Sequence, residues 1–502
     1  MVTKHLTDLR AYIEALKEIG EIQEIEQTVD WNLEIGGIIR RSYDLRAPAP
    51  LFNTIKGIEK GFRVLGAPAG ASRQPKLFLS RVAISLGLPP TANVNEILNV
   101  LINAYTVKPI KPTIVQTGFC KENILKDNDV NLERFPVPYI HDGDGGRYFN
   151  TWGTIVVKTP DGSWTNWGLS RFMLLNDKCL ISGVVPKQHT DIIYSMWKEK
   201  KQPMPFAIFQ GGAPIIPFIS GLAIPEGVNE VDVIGGIIGQ PLELVKCETV
   251  ELFVPANAEI VVEGTMSYDE LVSEGPMGEF SGNLCTASEN TKPVMHISAI
   301  TYRNSPILPV VAAGYPIEEN HTCWALGMSA KILADLRAAN FPVTSCFIPF
   351  ETAVHWLVIT VSRDYIWSQK NAGHYFVDAL ITKVKEVCFN IKPAIFIAKI
   401  ILVADDIDPS DINQVCWAFA TRCRPKDHLI SENEPLPMPL LGFLTSREKA
   451  SLKSDKIIYN CLRPEEWTRQ EIPIPATFER SWPEEIKNKI LSNWESYGYK
   501  IK

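Results

Sequence analysis

Apolar residues follow two different rhythms along this chain. Near the start, Leu9, Ile13, Leu16 and Ile19 recur at helical spacing, and Gly20 stands where such a helix would stop. Helical patterns return over residues 77–88 and 95–105, with a strand-like stretch at 63–65, so residues 1–120 are expected to form an α/β region. Near residue 135 the texture changes. Phe135-Pro136-Val137-Pro138 breaks regular structure, and His141-Asp142-Gly143-Asp144-Gly145-Gly146 reads as a mobile or ligand-facing loop. Short strand patterns then dominate, at 151–158, 179–185, 242–246, 259–263 and 294–302, separated by Gly and Pro turns. They predict a β-barrel or sandwich over residues 121–324. From residue 325 helical patterns at 330–339, 365–370 and 376–389 alternate with apolar runs at 356–361 and 399–403. That is the pattern of a second α/β domain, 325–502, built on a parallel sheet. Its Pro-rich tail after Glu432 is expected to wrap the surface or a partner subunit. The fold class is therefore multidomain, α+β with α/β ends.

Composition narrows the function classes. At 502 residues the chain is too long for one core, and about two to four domains are expected. The formal charge of -7, with both signs mixed along the length, argues against a nucleic-acid-binding surface. The longest uncharged run, 202–225, holds five prolines and three glycines, so buried loops and strands are expected there rather than a membrane helix. The first residues carry Lys4, Arg10 and Glu14 instead of an apolar core, and ten cysteines show no CxxC pair. A cytoplasmic enzyme with reduced thiols fits best.

Several chemistries find no motif. There is no phosphate-loop GxxxxGK[ST], no HExxH and no GxSxG. Gly235-Gly236-Ile237-Ile238-Gly239 lacks dinucleotide-fingerprint spacing and reads as structural; Asp408 or Asp411 is expected to cap the helix beginning near Ile412. Two segments remain. Trp164-Thr165-Asn166-Trp167-Gly168-Leu169-Ser170-Arg171 is expected at a barrel rim, followed by His189 and later by Glu230. An amide oxygen, an imidazole and a carboxylate suit a cation such as manganese or magnesium, although residue types alone favour His189 as a hydrogen-bonded core histidine. In Glu274-Gly275-Pro276-Met277-Gly278-Glu279-Phe280, two glutamates share a tight loop with an apolar wall of Met277 and Phe280. Residue types alone favour a solvated turn with two exposed acids. The alternative is an inward-facing pair, one of which the apolar wall keeps protonated.

The Asn-Trp-x-x-x-Arg at 166–171, the Gln188-His189 pair and the Glu-Gly-Pro-x-Gly-Glu at 274–279 occur together and in family order. In these motifs and over nearly its whole length, the chain resembles the UbiD family of decarboxylases, most of all the fungal-type ferulic (phenylacrylic) acid group. The resemblance implies a central split β-barrel that binds prenylated FMN, a C-terminal domain that helps form a homodimer, and a separate flavin prenyltransferase that supplies the cofactor. It implies manganese on Asn166, His189 and Glu230, and potassium on Glu230 with carbonyls around Trp167, Ile219, Ser220 and Leu222. The flavin-binding stretch maps to Asn166, Trp167, Gly168, Leu169, Ser170 and Arg171, with Gln188, His189, Glu230 and Lys392. Gly168 and Ser170 stand where relatives often carry Ser and Ala. Around Lys392, Ile391 and Pro393-Ala394 replace the usual His and Ala-Gly.

The implied reaction is reversible, non-oxidative loss of CO2 from an unsaturated aromatic acid such as cinnamic, ferulic or coumaric acid. Its catalytic residues are Arg171, Glu274 and Glu279. Arg171 orients the substrate carboxylate, Glu279 donates the proton, and Glu274 holds Arg171 while favouring a protonated Glu279. Rival readings are a 4-hydroxybenzoate-type decarboxylase of the same family, a flavin oxidoreductase, and a flavin-storage protein without chemistry.

Overall fold

The structure is a computed structural model that describes residues 5–285, 291–371, 376–438, 440–463, 467–473 and 475–499. The expected N-terminal helix runs Leu9–Glu18. Asp8 caps it by accepting the Ala11 N–H at 2.8 Å. Its buried stripe of Leu9, Tyr12, Ile13 and Leu16 packs on Ala49, Leu51, Leu65 and Ile307. Those partners belong to a four-stranded sheet of Ile22–Ile25, Ala49–Phe52, Arg63–Gly66 and Ile307–Val310. Its last strand comes from the middle of the chain, so the first α/β layer is completed by distant sequence. The pattern at 95–105 is the helix Val94–Asn103, opened by a capping box of Asn93 and Glu96. The pattern at 77–88 breaks into a 3₁₀ turn, Pro75–Leu77, and a short helix, Ser80–Ser85.

The central unit is one antiparallel sheet, nine-stranded among the described residues. In chain order its strands are β1 (Asn123–Lys126), β2 (Tyr148–Asn150), β3 (Thr154–Lys158), β4 (Thr165–Leu169), β5 (Phe172–Leu174), β6 (Cys179–Ser182), β7 (Met204–Gly211), β8 (Ala258–Ser273) and β9 (Thr291–Tyr302). The hydrogen-bonded path is β2-β5-β6-β9-β8-β7-β3-β4, and β1 pairs with β9. Strand β4 is one end of this path and β5 is next to the other, yet only Ser170 and Arg171 separate them in sequence. The step from Leu169 to Phe172 spans at most ~11 Å of extended chain. The sheet must therefore curl until its ends nearly meet, which gives the split barrel. Asn150 stitches the seam, donating Nδ2–H to the carbonyls of Gly153 at 3.0 Å and Ser170 at 2.5 Å.

Alternation along the strands feeds two cores. Val156, Ala207, Phe209 and Val261 join one cluster, while Ile155, Val157, Phe206, Ile208, Ile260 and Val262 join the other. Both sheet faces are covered, each fully buried Leu, Ile or Phe stabilising by ~1.5–3 kcal/mol relative to exposure. The uncharged run at 202–225 becomes β7 and a short helix, Ile216–Ser220, with Pro at its start. The glycine cluster lies on the helix Glu230–Ile238, where a Cβ on Gly235 would sit 2.4 Å from the Ile110 carbonyl oxygen.

The C-terminal sheet has the order Val343–Phe347, Trp356–Val361, Lys399–Ala404, Lys453–Asn460, His428–Pro435, with the middle three strands parallel. Here the structure corrects the expectation for the tail. Residues 433–435 and 453–460 of the tail belong to two strands of this sheet, His428–Pro435 and Lys453–Asn460, so part of the tail is sheet rather than wrapping. Asp411 caps the helix Ile412–Arg422, as expected. Among the described residues no helix is long and apolar enough to cross a membrane, and nine cysteines are free.

Candidate active site

The barrel seam gathers the candidate residues into two adjoining groups. In the first, Asn166 on β4 meets the first residues of two helices, His189–Glu199 and Glu230–Ile238. Asn166 Nδ2 lies 2.8 Å from Glu230 Oε1 and 3.5 Å from His189 Nδ1. Glu230 Oε2 accepts the Trp167 N–H at 2.8 Å. Trp164 packs edge-on against His189, with centroids 4.9 Å apart. Glu230 and Asn166 are buried. Neither helix has a side-chain N-cap: Gln188 and Asn229 stand at those positions without accepting a first-turn N–H. Two uncapped helix starts aimed at one place suit a phosphate. Among the described residues no three His, Cys, Asp or Glu side chains gather as a metal site; the third donor here is the Asn166 amide. With its amide oxygen turned inward, the set becomes O, N, O, which suits a hard or borderline divalent ion.

The helix Ile216–Ser220 packs against both β4 and Glu230–Ile238, and Ile219 and Leu222 share one core cluster with Trp167. Ser220 Oγ is buried without a hydrogen-bond partner, an unmet polar atom where a monovalent cation is expected. Gly168 has little room to spare: a Cβ there would lie 3.2 Å from Thr190 Oγ1 and 3.3 Å from Asn166 Oδ1. Leu169 and Ser170 are half-buried along the rest of the stretch. Lys392 stands apart, exposed in a turn, and among the described residues no hydrogen bond or ion pair joins it to this group. The nearest link is aromatic: Phe396 meets Trp324, and Trp324 meets Phe280 of the glutamate loop.

The second group centres on Arg171, in the two-residue link between β4 and β5. Its Nε and Nη2 donate to the two oxygens of Glu274 at 2.9 and 3.0 Å, and its Nη1 donates to Glu279. Tyr148 on β2 donates its hydroxyl to Glu274 Oε1 at 2.9 Å. Both glutamates are buried, at 7% and 8% relative exposure, which rules out the solvated turn that residue types alone favour. Met277 and Phe280 are buried beside them. Burial raises the Glu279 carboxyl above its ordinary value, Arg171 opposes the rise, and Glu274 and Asp144 add to it. Burial alone would lower Arg171, but the two facing carboxylates more than reverse that and keep it charged.

The glutamate loop is held by residues that its own sequence does not announce. Asp144, buried in the His141–Gly146 stretch, accepts the Gly278 N–H at 3.1 Å and the His141 N–H at 2.9 Å. Gly145 donates its N–H to the Pro276 carbonyl at 2.7 Å, and a Cβ on Gly145 would lie 2.1 Å from the Gly275 carbonyl oxygen. Behind the loop, the neutral imidazole of His321 accepts the Glu318 N–H at 3.1 Å through Nδ1 and bonds the Phe280 carbonyl through Nε2 at 2.9 Å. Burial pushes the Glu318 and Glu319 carboxyls up to about 7.

Known proteins place this arrangement in a family. The description "3-octaprenyl-4-hydroxybenzoate carboxy-lyase" matches in three parts: an N-terminal domain over residues 13–101, a Rift-related domain over 113–316 and a C-terminal domain over 321–443. The pyrrole-2-carboxylic acid decarboxylase of Pseudomonas aeruginosa is 37% identical over 492 residues, covering 98% of each chain. Ferulic acid decarboxylase 1 of Saccharomyces cerevisiae is 34% identical over 501 residues, again covering 98% of each. The chain belongs to the UbiD family of carboxy-lyases. An evolved dimeric form of the UbiD-class enzyme HmfF from Pelotomaculum thermopropionicum, solved with prFMN, shares the fold at a TM-score of 0.75 and 24% identity. It aligns over 93% of this chain and 97% of its own.

Within this UbiD-family barrel, the structure brings together Asn166, His189 and Glu230, and separately Arg171, Glu274 and Glu279. Sequence reasoning missed Tyr148 and Asp144. The signal for Asp144 was its place in a Gly-rich run with His141; Tyr148, on a short apolar strand, carried no signal.

Proposed function

We propose that this UbiD-family protein carries out the non-oxidative decarboxylation of a small unsaturated aromatic acid, with prenylated FMN seated at the barrel seam. The observation that carries the reading is the Arg171 cluster: a charged guanidinium fixed by one buried carboxylate beside a second whose environment favours the neutral acid. Asn166, His189 and Glu230 would hold manganese, with the two uncapped helix starts receiving the cofactor phosphate. Glu230 with the Ser220 neighbourhood would hold potassium. Prenylated FMN, when bound, supplies the electron sink that loss of CO2 from an sp² carbon requires and that no side chain offers.

The chain's own residues do the rest. A guanidinium has five N–H donors. Three of those on Arg171 are engaged by Glu274 and Glu279, so two remain for a substrate carboxylate. Glu274 fixes the guanidinium plane through two parallel bonds, and the Tyr148 hydroxyl fixes Glu274. Glu279, neutral before the reaction, delivers its proton to the carbon that has lost CO2 and is left as a carboxylate against Arg171. Met277 and Phe280 exclude water from that proton. Acrylic acids of the cinnamic type are the first substrates to try. The 37% identical relative named for pyrrole-2-carboxylic acid makes a five-membered heteroaromatic acid the second. The reading includes a homodimer, a flavin prenyltransferase as cofactor source, and a three-part division near residues 120 and 324.

The test is ultraviolet loss of cinnamic acid and of pyrrole-2-carboxylic acid. It uses protein co-produced with a flavin prenyltransferase and supplied with manganese and potassium. Loss of either acid, with the matching decarboxylated product, is expected. No loss of either acid, in protein whose extracted cofactor has the mass of prenylated FMN, overturns this substrate assignment.

A further inference from the structure

Three parallel strands of the C-terminal sheet, Trp356–Val361, Lys399–Ala404 and Lys453–Asn460, end at the same edge. Open α/β sheets bind ligands in the crevice beyond that edge. Here it opens into a cavity of about 450 Å³, within the ~300–1,000 Å³ of small-molecule sites. Residues just past each strand end line it: Arg363, then Asp405 and Asp406, then Arg463.

Among the described residues the charges on its wall do not balance. Asp405 is taken by Arg363 at 2.5 Å, and Asp406 by two nitrogens of Arg422 at 2.9 Å each. Asp364 is the other acid on the wall, whereas Arg463, Arg469 and Arg480 form no ion pair among the described residues. Arg463 Nε is buried without a hydrogen-bond partner. Burial and the neighbouring Arg422 push the Arg463 guanidinium down, against the pull of Asp406. An anion entering the cavity would relieve both. The Arg469 guanidinium lies 5.3 Å from the centroid of Trp367, and Trp467 also faces the cavity. Arginine beside tryptophan suits a flat ring that bears a negative group.

We propose that this crevice is a second ligand site, for a planar organic anion, with Arg463 and Arg469 holding the anionic group. It is separate from the barrel seam and does not depend on the reaction there. The shared chemistry admits a nucleoside monophosphate or an aromatic carboxylate. The test is calorimetric titration of the full chain with AMP, benzoate or inorganic phosphate, in the parent, in Arg463→Gln and in Arg469→Gln. Because Arg469 is exposed, the second substitution spares the fold. AMP or benzoate is expected to bind saturably, and at least tenfold more weakly in each variant; whichever binds more tightly identifies the source. Binding that persists unchanged in both variants lies elsewhere and overturns the proposal. Absence of saturable binding by AMP and benzoate also overturns it, as does phosphate binding as tightly as either.

Discussion

Arg81 and Arg171 both face buried glutamates, and they differ in the balance of charge and in exposure. Arg81, on the helix Ser80–Ser85, is 1% exposed. It donates to Glu21 at 3.1 Å and to the carbonyls of Ala47 and Ala67, while Ser72 donates to the other Glu21 oxygen at 2.7 Å. One positive charge meets one negative charge, and two backbone carbonyls take further N–H groups, while Nε stays buried without a partner. Arg171 is 29% exposed, faces two carboxylates and keeps two N–H groups free. The first arrangement locks three segments together. The second sets two carboxylates against one partly exposed guanidinium, and burial together with the second acid pushes the Glu279 carboxyl up. Burial of an ion pair alone does not mark a site; the surplus does.

Replacing each arginine by methionine breaks the comparison if it is false. Arg171→Met is expected to lose decarboxylation per folded molecule by ~10³-fold, the upper end for removing one charged transition-state partner, besides any stability lost by stranding Glu274. Arg81→Met is expected to cost about 3–5 kcal/mol of stability by stranding Glu21. Its activity per folded molecule should stay near the parent's. Urea midpoints beside turnover numbers separate the two, and a destabilised but active Arg171→Met would reverse the assignment. Glu279→Gln keeps the shape and removes the acid, so a kcat loss of roughly 10²–10⁴-fold is expected. Its cofactor occupancy, read from the flavin absorbance, should not change.

How much of this was legible follows from where the information sits. The helix Leu9–Glu18 and the strands Trp356–Val361 and Lys399–Ala404 show in the chain because each carries its own apolar period. His428–Pro435 did not, because it is a mostly exposed edge strand with one buried residue, Ser431. The strand Ile307–Val310 was unreadable as part of the first layer, because its partner Arg63–Gly66 is fixed by long-range packing. At the site, residue types named Arg171, Glu274 and Glu279, and the family resemblance supplied their roles. Their meeting across 103 and 108 residues is a property of the curled sheet. Whether the acids face inward depends on Asp144, Gly145 and Tyr148, which no local pattern connects to them.

The surplus of acid extends past the cluster itself, to Glu318 and Glu319. Their folded carboxyls titrate near 7, pushed up by burial, against ~4.3 in an unfolded chain. The folded state therefore holds their protons longer. The stability they contribute is full below about 4.3 and is lost as pH rises through about 7. Stability measured by urea should fall between pH 5 and pH 8 by ~2–3 kcal/mol per group. Glu318→Gln, which cannot ionise, should flatten part of that fall. An unchanged slope would place its ionisation elsewhere.

The smallest effect tests the far edge of the comparison, at Asp144. Its carboxylate holds the Gly278 N–H and the His141 N–H, and its charge favours a neutral Glu279. Asp144→Asn can still accept from one of those donors, so the loop should lose about one hydrogen bond and kcat should fall roughly two- to tenfold. A purely structural role would stop there and leave the pH profile in place. With the negative charge gone, Arg171 acts on Glu279 less opposed, and the Glu279 pKa falls. The alkaline limb of kcat/KM should then move to lower pH, while Asp144→Glu should keep the limb near its parent position at a lower rate. A limb that stays fixed in Asp144→Asn would confine Asp144 to holding the loop. The protonation of Glu279 would then rest on burial and Glu274 alone.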